Sequence, residues 1–429
     1  MLVSIGLFTS LLVISPFTSQ ANAVPAREYR LAKISVAGSH RFTEGRIVQA
    51  SGLHVGDAIT QDDLQAAANR LGATRAFLSV AFQFRAEGED LSVAYQVEDA
   101  RRFLRCAYDN FVWFTANEIN QAVQQEVVLF DGSLAENDEV ASAVAGALER
   151  FVHARGLNGA VTFVKVGELG KPAVAYLFKL EGNPVVVASM EVVGPLEASF
   201  FSEERTRLVG KPYSSDFASL LAEKDLKQIY QNHGYLRAEF AQPTTTLLRG
   251  IQQAAPDQVI VTFNVNSGLQ YFWDHVEWDG NRALPKDALE KLLGMHAHEI
   301  AAANKVAKGF DAVLREYGTK GFIQAQYSPD QAFNDSANTV TYRVHLVEGT
   351  QFRMGELVIS GVPAAVKREV QNKWRLKAGD TYDASYAANF IKEDLPRIVA
   401  GARLLSARVK FKVIPNSVNG TVQVEIELP

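Results

Sequence analysis

The chain has 429 residues, 47% of them hydrophobic and 21% charged, and a net charge of −5 at pH 7. This is ordinary globular composition, and the acidic balance argues against nucleic-acid binding, which generally wants a clustered basic face. A single cysteine, Cys106, rules out an intrachain disulfide, so stability must come from hydrophobic cores.

The first 26 residues carry no charge, and within them LVSIGLFTSLLVI is an apolar run of 13 residues followed by Pro16. A spanning helix needs about 20 residues. The length instead suits the core of a signal peptide over residues 1–23, with Ala21, Asn22 and Ala23 as its small-x-small cleavage site. No Lys or Arg precedes Arg27, and no lipid-accepting cysteine follows the run. The expectation is an exported protein.

Beyond residue 28 one phrase keeps returning. KISVAGS (33–39), SMEVVG (189–194), HVEWDGN (275–281) and ELVISG (356–361) each alternate like a half-buried strand and then close on glycine. Glycine there supplies the backbone angles of a sharp exit turn. CAYDN (106–110) fits the same register, with Asn110 as the residue next most tolerant of positive φ. Cys106 then stands where the other copies have Ile34, Met190, Val276 and Leu357, and reads as a small buried hydrophobe.

Each glycine is followed by a predicted helix, a short loop and a second helix. The loops are GLHVGDAIT (52–60), LVGKPYSSD (208–216), LLGMHAHEI (292–300) and RLKAGDTYD (375–383). Thr60 with Asp63 three residues on is a capping pair. Ala218, Ala222, Leu226, Ile229 and Tyr230 form one helical stripe, and Val306, Phe310, Val313, Leu314 and Tyr317 form another. The second helix ends in VHARGLNGAVTF (152–163), YQNHGYLRAEF (230–240) and YGTKGFIQAQY (317–327), where Gly156, Gly234 and Gly321 fit a C-terminal stop. Copies one and five have Ala76 and Arg403 there instead.

Alternating strands close the copies, as in LSVAYQV (91–97), QVIVTFNV (258–265), TVTYRVHL (339–346) and TVQVEIEL (421–428). The joints LEGNPV (180–185), NSGLQY (266–271) and VEGTQF (347–352) are short and contain no flexible linker. The unit is therefore strand, helix, helix, strand, strand, written five times. Its copies are expected at 29–99, 101–182, 184–267, 270–348 and 351–429, the second being divergent and carrying the acidic, insertion-like FDGSLAENDEV (130–140).

A repeat of this length and order resembles the POTRA (polypeptide-transport-associated) domain of outer-membrane barrel-assembly and translocation proteins. VEGTQFRMGELVISG (347–361) and YQNHGYLRAEF carry the resemblance most clearly. It implies an α+β fold: a tandem array of five β-α-α-β-β modules, each a three-stranded mixed sheet with its second strand at an edge and two helices on one face. It also implies a non-enzymatic periplasmic role, associated with the outer membrane. The partner would be an outer-membrane β-barrel protein or an unfolded outer-membrane client. Family members that assemble barrels carry a C-terminal β-barrel, and these 429 residues contain no such segment after the last repeat. The expectation is a component acting beside a separate barrel. The alternatives are an envelope scaffold without unfolded clients and a fragment of a longer protein.

An open edge can accept a strand from another chain. Edges are expected at 79–85, 160–165, 237–245, 324–328 and 406–413, with Arg237, Glu239, Gln324, Gln326, Arg408, Lys410 and Lys412 as the contacts. Sharper chemistry is not indicated. His296 and His298 lack further metal ligands at suitable spacing, and no phosphate loop, GxSxG elbow or HExxH motif occurs. No cofactor is expected. Trp278, Tyr95 and Phe263 are expected in cores, and Phe272 and Trp273 at a joint between modules.

Overall fold

The computed structural model describes residues 27–168, 170–248, 256–401 and 409–428, so the predicted signal peptide lies outside the described residues. Two compact units divide the chain, one ending at Asn183 and the other beginning at Pro184.

The described residues hold five separate mixed sheets, two in the first unit and three in the second. In each, an opening strand runs parallel to a closing strand, which pairs antiparallel with an outer strand. The first sheet takes Tyr29–Ala37, Asp90–Asp99 and Phe77–Glu87 in those roles, and the second takes Phe103–Tyr108, Ala175–Leu180 and Val161–Val166. In the third, Val185–Val193 and Asp257–Asn266 are joined by two outer pieces, Glu239–Phe240 and Thr244–Leu248. The fourth uses Phe272–Asp279, Thr339–Val347 and Gln326–Asn334, and the fifth Arg353–Ser360, Thr421–Glu427 and Lys410–Asn416. Helices between the opening and outer strands cover one face, which is why the closing strands alternate. Val422, Val424 and Ile426 are fully buried, and the residues between them only partly so.

The sheets are not uniformly three-stranded. Three of the five carry a fourth short strand, Ala58–Ile59, Ser133–Ala135 or Glu239–Phe240. The first two are the loops between helices, pulled into the sheet beside the opening strand. The third exists because the outer strand is interrupted at Ala241–Pro243.

Local signals explain most boundaries. Thr60 and Asp63 cap Gln61–Ala73 reciprocally, and Thr115 and Glu118 do the same for Ala116–Glu126. The exit glycines divide by cause. At Gly280, φ is +82° and an added Cβ would sit 2.1 Å from the Leu346 carbonyl oxygen, so both conformation and space require glycine. Gly194 has no positive φ; its hydrogen keeps clear of the Tyr230 hydroxyl instead. Asn110 also departs from the expected reason. Its φ is not positive, and its amide bridges to the closing strand, donating to the Leu180 carbonyl and accepting from the Leu180 N–H at 2.8 Å each.

The acidic stretch 130–140 is no insertion. Phe130 is buried, Ser133–Ala135 is the extra strand, and Asn137 caps Asp138–His153 with Asp138 and Glu139 in its first turn. Asp131 pairs with Arg41 of the preceding module, whose guanidinium lies 4.0 Å from the Phe103 ring centre. The acids are therefore a cap and a clasp.

Candidate functional site

A sheet has two edges, and in this repeat one of them is always taken. The segment between the two helices lies against the opening strand through the same pair of backbone bonds in four modules. Leu31 N–H donates to Asp57 and Gly56 N–H donates back to Leu31, both at 2.8 Å. Val187 exchanges bonds with Lys211 and Gly210, Trp273 with Glu299 and His298, and Met354 with Asp380 and Gly379. An acid holds three of these turns, Asp57, Glu299 and Asp380 accepting from the backbone N–H of His54, His296 and Lys377. The second module closes the same edge with Ser133–Ala135 against Phe103–Arg105. Among the described residues, what remains unpaired in every sheet is the far edge of the outer strand.

His298 belongs to this arrangement. It sits at φ +66°, at the place of Gly56, Gly210 and Gly379, and the described residues contain no cluster of three or more metal-ligating side chains. Burial pushes the Cys106 thiol up to about 12, so it stays protonated.

Six of the seven edge residues are described, and they separate into two groups. Glu239, Gln326, Lys410 and Lys412 lie on outer strands and are exposed. Lys410 reaches Glu427 on the adjacent closing strand at 3.3 Å. Arg237 and Gln324 precede their strands. The edge expected at 324–328 actually runs Gln326–Asn334, and that expected at 237–245 is split around Pro243. Arg408 lies outside the described residues, and the fifth outer strand is described from Lys410.

Arg237 is a joint residue. Its guanidinium bonds the Tyr271 hydroxyl at 3.1 Å and Asp335 at 3.2 Å, and stacks 4.0 Å from the Phe333 ring centre, all in the next module. The two joints of the second unit follow one scheme. Tyr271 N–H donates to Gly234 and Phe352 N–H to Gly321, at 2.8 and 2.9 Å. The preceding glutamines, Gln270 and Gln351, donate side-chain N–H to the carbonyls of His233 and Lys320. Leu236 and Ile323 pack into the core of the following module. The helix-end phrase and the joint phrase are therefore two halves of one contact. Trp273, expected at this joint, is 3% exposed and stacks on Tyr342 inside the fourth core; the joint aromatic is Tyr271.

A carboxylate at the end of the closing strand or just past it holds the exit turn. Asp99 accepts from the N–H groups of His40 and Arg41, and Glu348 from those of Arg282 and Ala283. Burial works to raise the Glu348 carboxyl, but these bonds and the Tyr317 hydroxyl hold it below the ordinary glutamate value.

The POTRA family model, described as a surface antigen variable number repeat, matches residues 271–349. A putative outer membrane protein assembly factor of Treponema pallidum (strain Nichols) is 26% identical over 167 residues, which is 37% of this chain and 19% of that protein. The chain thus spans less than a fifth of that relative's length. The structure of Haemophilus influenzae BamA POTRA3-5 is 20% identical and covers 57% of this chain and 96% of its own, at a TM-score of 0.43. That of POTRA1-3 from Anabaena Omp85 is 13% identical and covers 75% and 96%, at a TM-score of 0.21. The segment that the family model matches is one of five units that share a strand order and a closed opening edge.

Proposed function

We propose that this protein is a non-enzymatic periplasmic component of outer-membrane protein assembly or secretion, and that it binds client segments or partner proteins by strand addition at its sheet edges. One observation carries the reading: each sheet closes its opening edge with its own inter-helix segment and, among the described residues, leaves the far edge of its outer strand unpaired. Unpaired N–H and C=O groups recognise extended chain with little regard for side chains, as handling many different clients requires. The similarity to an assembly factor supports the same direction. No helix among the described residues is long and apolar enough to cross a membrane.

A second reading, an envelope scaffold without unfolded clients, draws support from Arg237, which serves a joint rather than an edge. Photo-crosslinking in cells from Gln326 and Lys412 separates the two. Adducts with nascent outer-membrane barrel proteins are expected; adducts with one folded envelope protein only would favour the scaffold.

A further inference from the structure

The five edges are not equally open. Proteins blunt an exposed edge by keeping it short, by proline and by charge, and four of these edges are blunted. Val161–Val166 is short, Pro243 interrupts the third edge, Pro329 with Asp330 sits within the fourth, and Pro415 with Lys410 and Lys412 guards the fifth. Proline in an edge strand turns its nitrogen to the open side, which removes a donor that an incoming strand would use.

Phe77–Glu87 has none of these devices along most of its length. It runs 11 residues without proline, and its first charge is Arg85. After a bulge at Leu78 it pairs without a break from Ser79 to Glu87. Phe84 is 42% exposed and Leu78 51%, and Val80 and Phe82 are only half-buried, leaving an apolar ledge along the open side. A groove of about 810 Å³ adjoins its first residues, between Gln65, Asn69 and Gly72 of the helix Gln61–Ala73 and the strand residues Phe77–Val80. The opposite wall is Arg101 and Arg102 with Ala135, Glu136 and Asn137 of the second module. Arg75 pairs with Glu139 and Arg102 with Glu136, which leaves Arg101 as the groove arginine without an ion pair among the described residues.

Building on the strand-addition reading above, we infer that the first module is the acceptor, and that its occupant is an extended segment of another polypeptide alternating apolar with polar residues and bearing an acidic end. The apolar side chains of that segment cover Val80, Phe82 and Phe84, its backbone pairs with Ser79–Glu87, and its acid meets Arg101.

The test uses the full chain with a photo-crosslinking residue at Gln83, Val164, Thr246, Ser328 or Lys412, one edge at a time. The probe is a synthetic peptide of alternating valine and threonine ending in glutamate. Adducts at Gln83 that exceed the other four positions by about tenfold are expected. Two variants guard the interpretation. Gly72 has open space where a Cβ would go, so Gly72→Leu fills the groove without disturbing the helix and should abolish the Gln83 adduct. Arg101→Glu should lower affinity about threefold, as loss of an exposed charge contact does. Adducts at another edge with none at Gln83 would overturn the assignment to the first module and leave strand addition standing. Adducts at none of the five would overturn both.

Discussion

His298 shows how a repeat turns one residue into an experiment. Its three counterparts are glycines at φ between +76° and +101°, while His298 holds φ +66° with a side chain attached. Left-handed backbone costs a non-glycine residue about 1–2 kcal/mol, and glycine gives back about 0.5–1 kcal/mol in chain entropy. His298→Gly should therefore stabilise the fourth module by about 0.5 kcal/mol, read as slower hydrogen exchange along Thr339–Val347. Gly280→Ala should do the reverse, costing about 2–3 kcal/mol, because its Cβ meets a backbone carbonyl that cannot yield. Glu348 adds a pH dependence. Its folded-state pKa lies below its unfolded value, so its contribution is complete above about pH 4.3 and falls as acid protonates the folded carboxylate. Stability of the fourth module should be flat from pH 7 to 5 and decline below about pH 4. Glu348→Gln should lower the plateau and flatten that decline, as acid titrations of the two proteins would show. At this scale the sequence revealed where special residues stand but not always why. Asn110 and Gly194 were legible as turn closers, yet one bonds Leu180 and the other avoids Tyr230. Those partners lie 70 and 36 residues away, beyond any local pattern.

Among elements, strands and helices were legible because alternation and the 3.6-residue stripe report directly on burial. Ala218, Ala222, Leu226 and Tyr230 are all buried as the stripe predicts. What could not be read was which phrase meets which. Gly234 and Gln270, or Gly321 and Gln351, look unrelated in sequence because the joint that unites them forms only when the next module docks. The joint aromatic was expected at Phe272 and Trp273 and is Tyr271, because the three stand consecutively where the joint runs into the strand Phe272–Asp279. The bulge between Trp273 and Val276 breaks the alternation that would have fixed the register. Likewise the π-type turn at Phe390–Asp394 is followed by Pro396, which has no N–H to give, while the matching turn at Ala222–Leu226 has no proline after it and no cause the structure reveals. The paired phrases predict a specific weakness. Gln351→Ala removes one inter-module hydrogen bond, worth about 1 kcal/mol, so the Phe352 amide, which donates to Gly321, should exchange about fivefold faster by local opening. Exchange within Thr421–Glu427 should not change. Uniform acceleration across the fifth module would mean that the bond supports the fold and not the joint.

At the scale of the whole molecule, an array of sheets with one open edge each faces a problem that a single domain does not. Every unpaired outer strand can pair with its counterpart in another copy, and five edges multiply the encounters. The protection found in modules two to five is physically cheap. An edge proline sacrifices no internal hydrogen bond when its nitrogen faces outward, and Lys410 both guards its edge and pairs with Glu427. Restoring donors should then expose the problem without weakening the modules. In the double variant Pro329→Thr, Pro415→Thr, each threonine takes a strand-compatible position and regains an outward N–H. Secondary structure and melting should stay close to those of the parent chain. Sedimentation velocity over a range of concentrations should show larger species that the parent lacks, dispersed by adding Lys or Pro back at either site. If the double variant sediments like the parent at every concentration, the prolines are not guards. The contrast between blunted and open edges would then reflect strand geometry alone, and the open run at Phe77–Glu87 would need no partner to explain it.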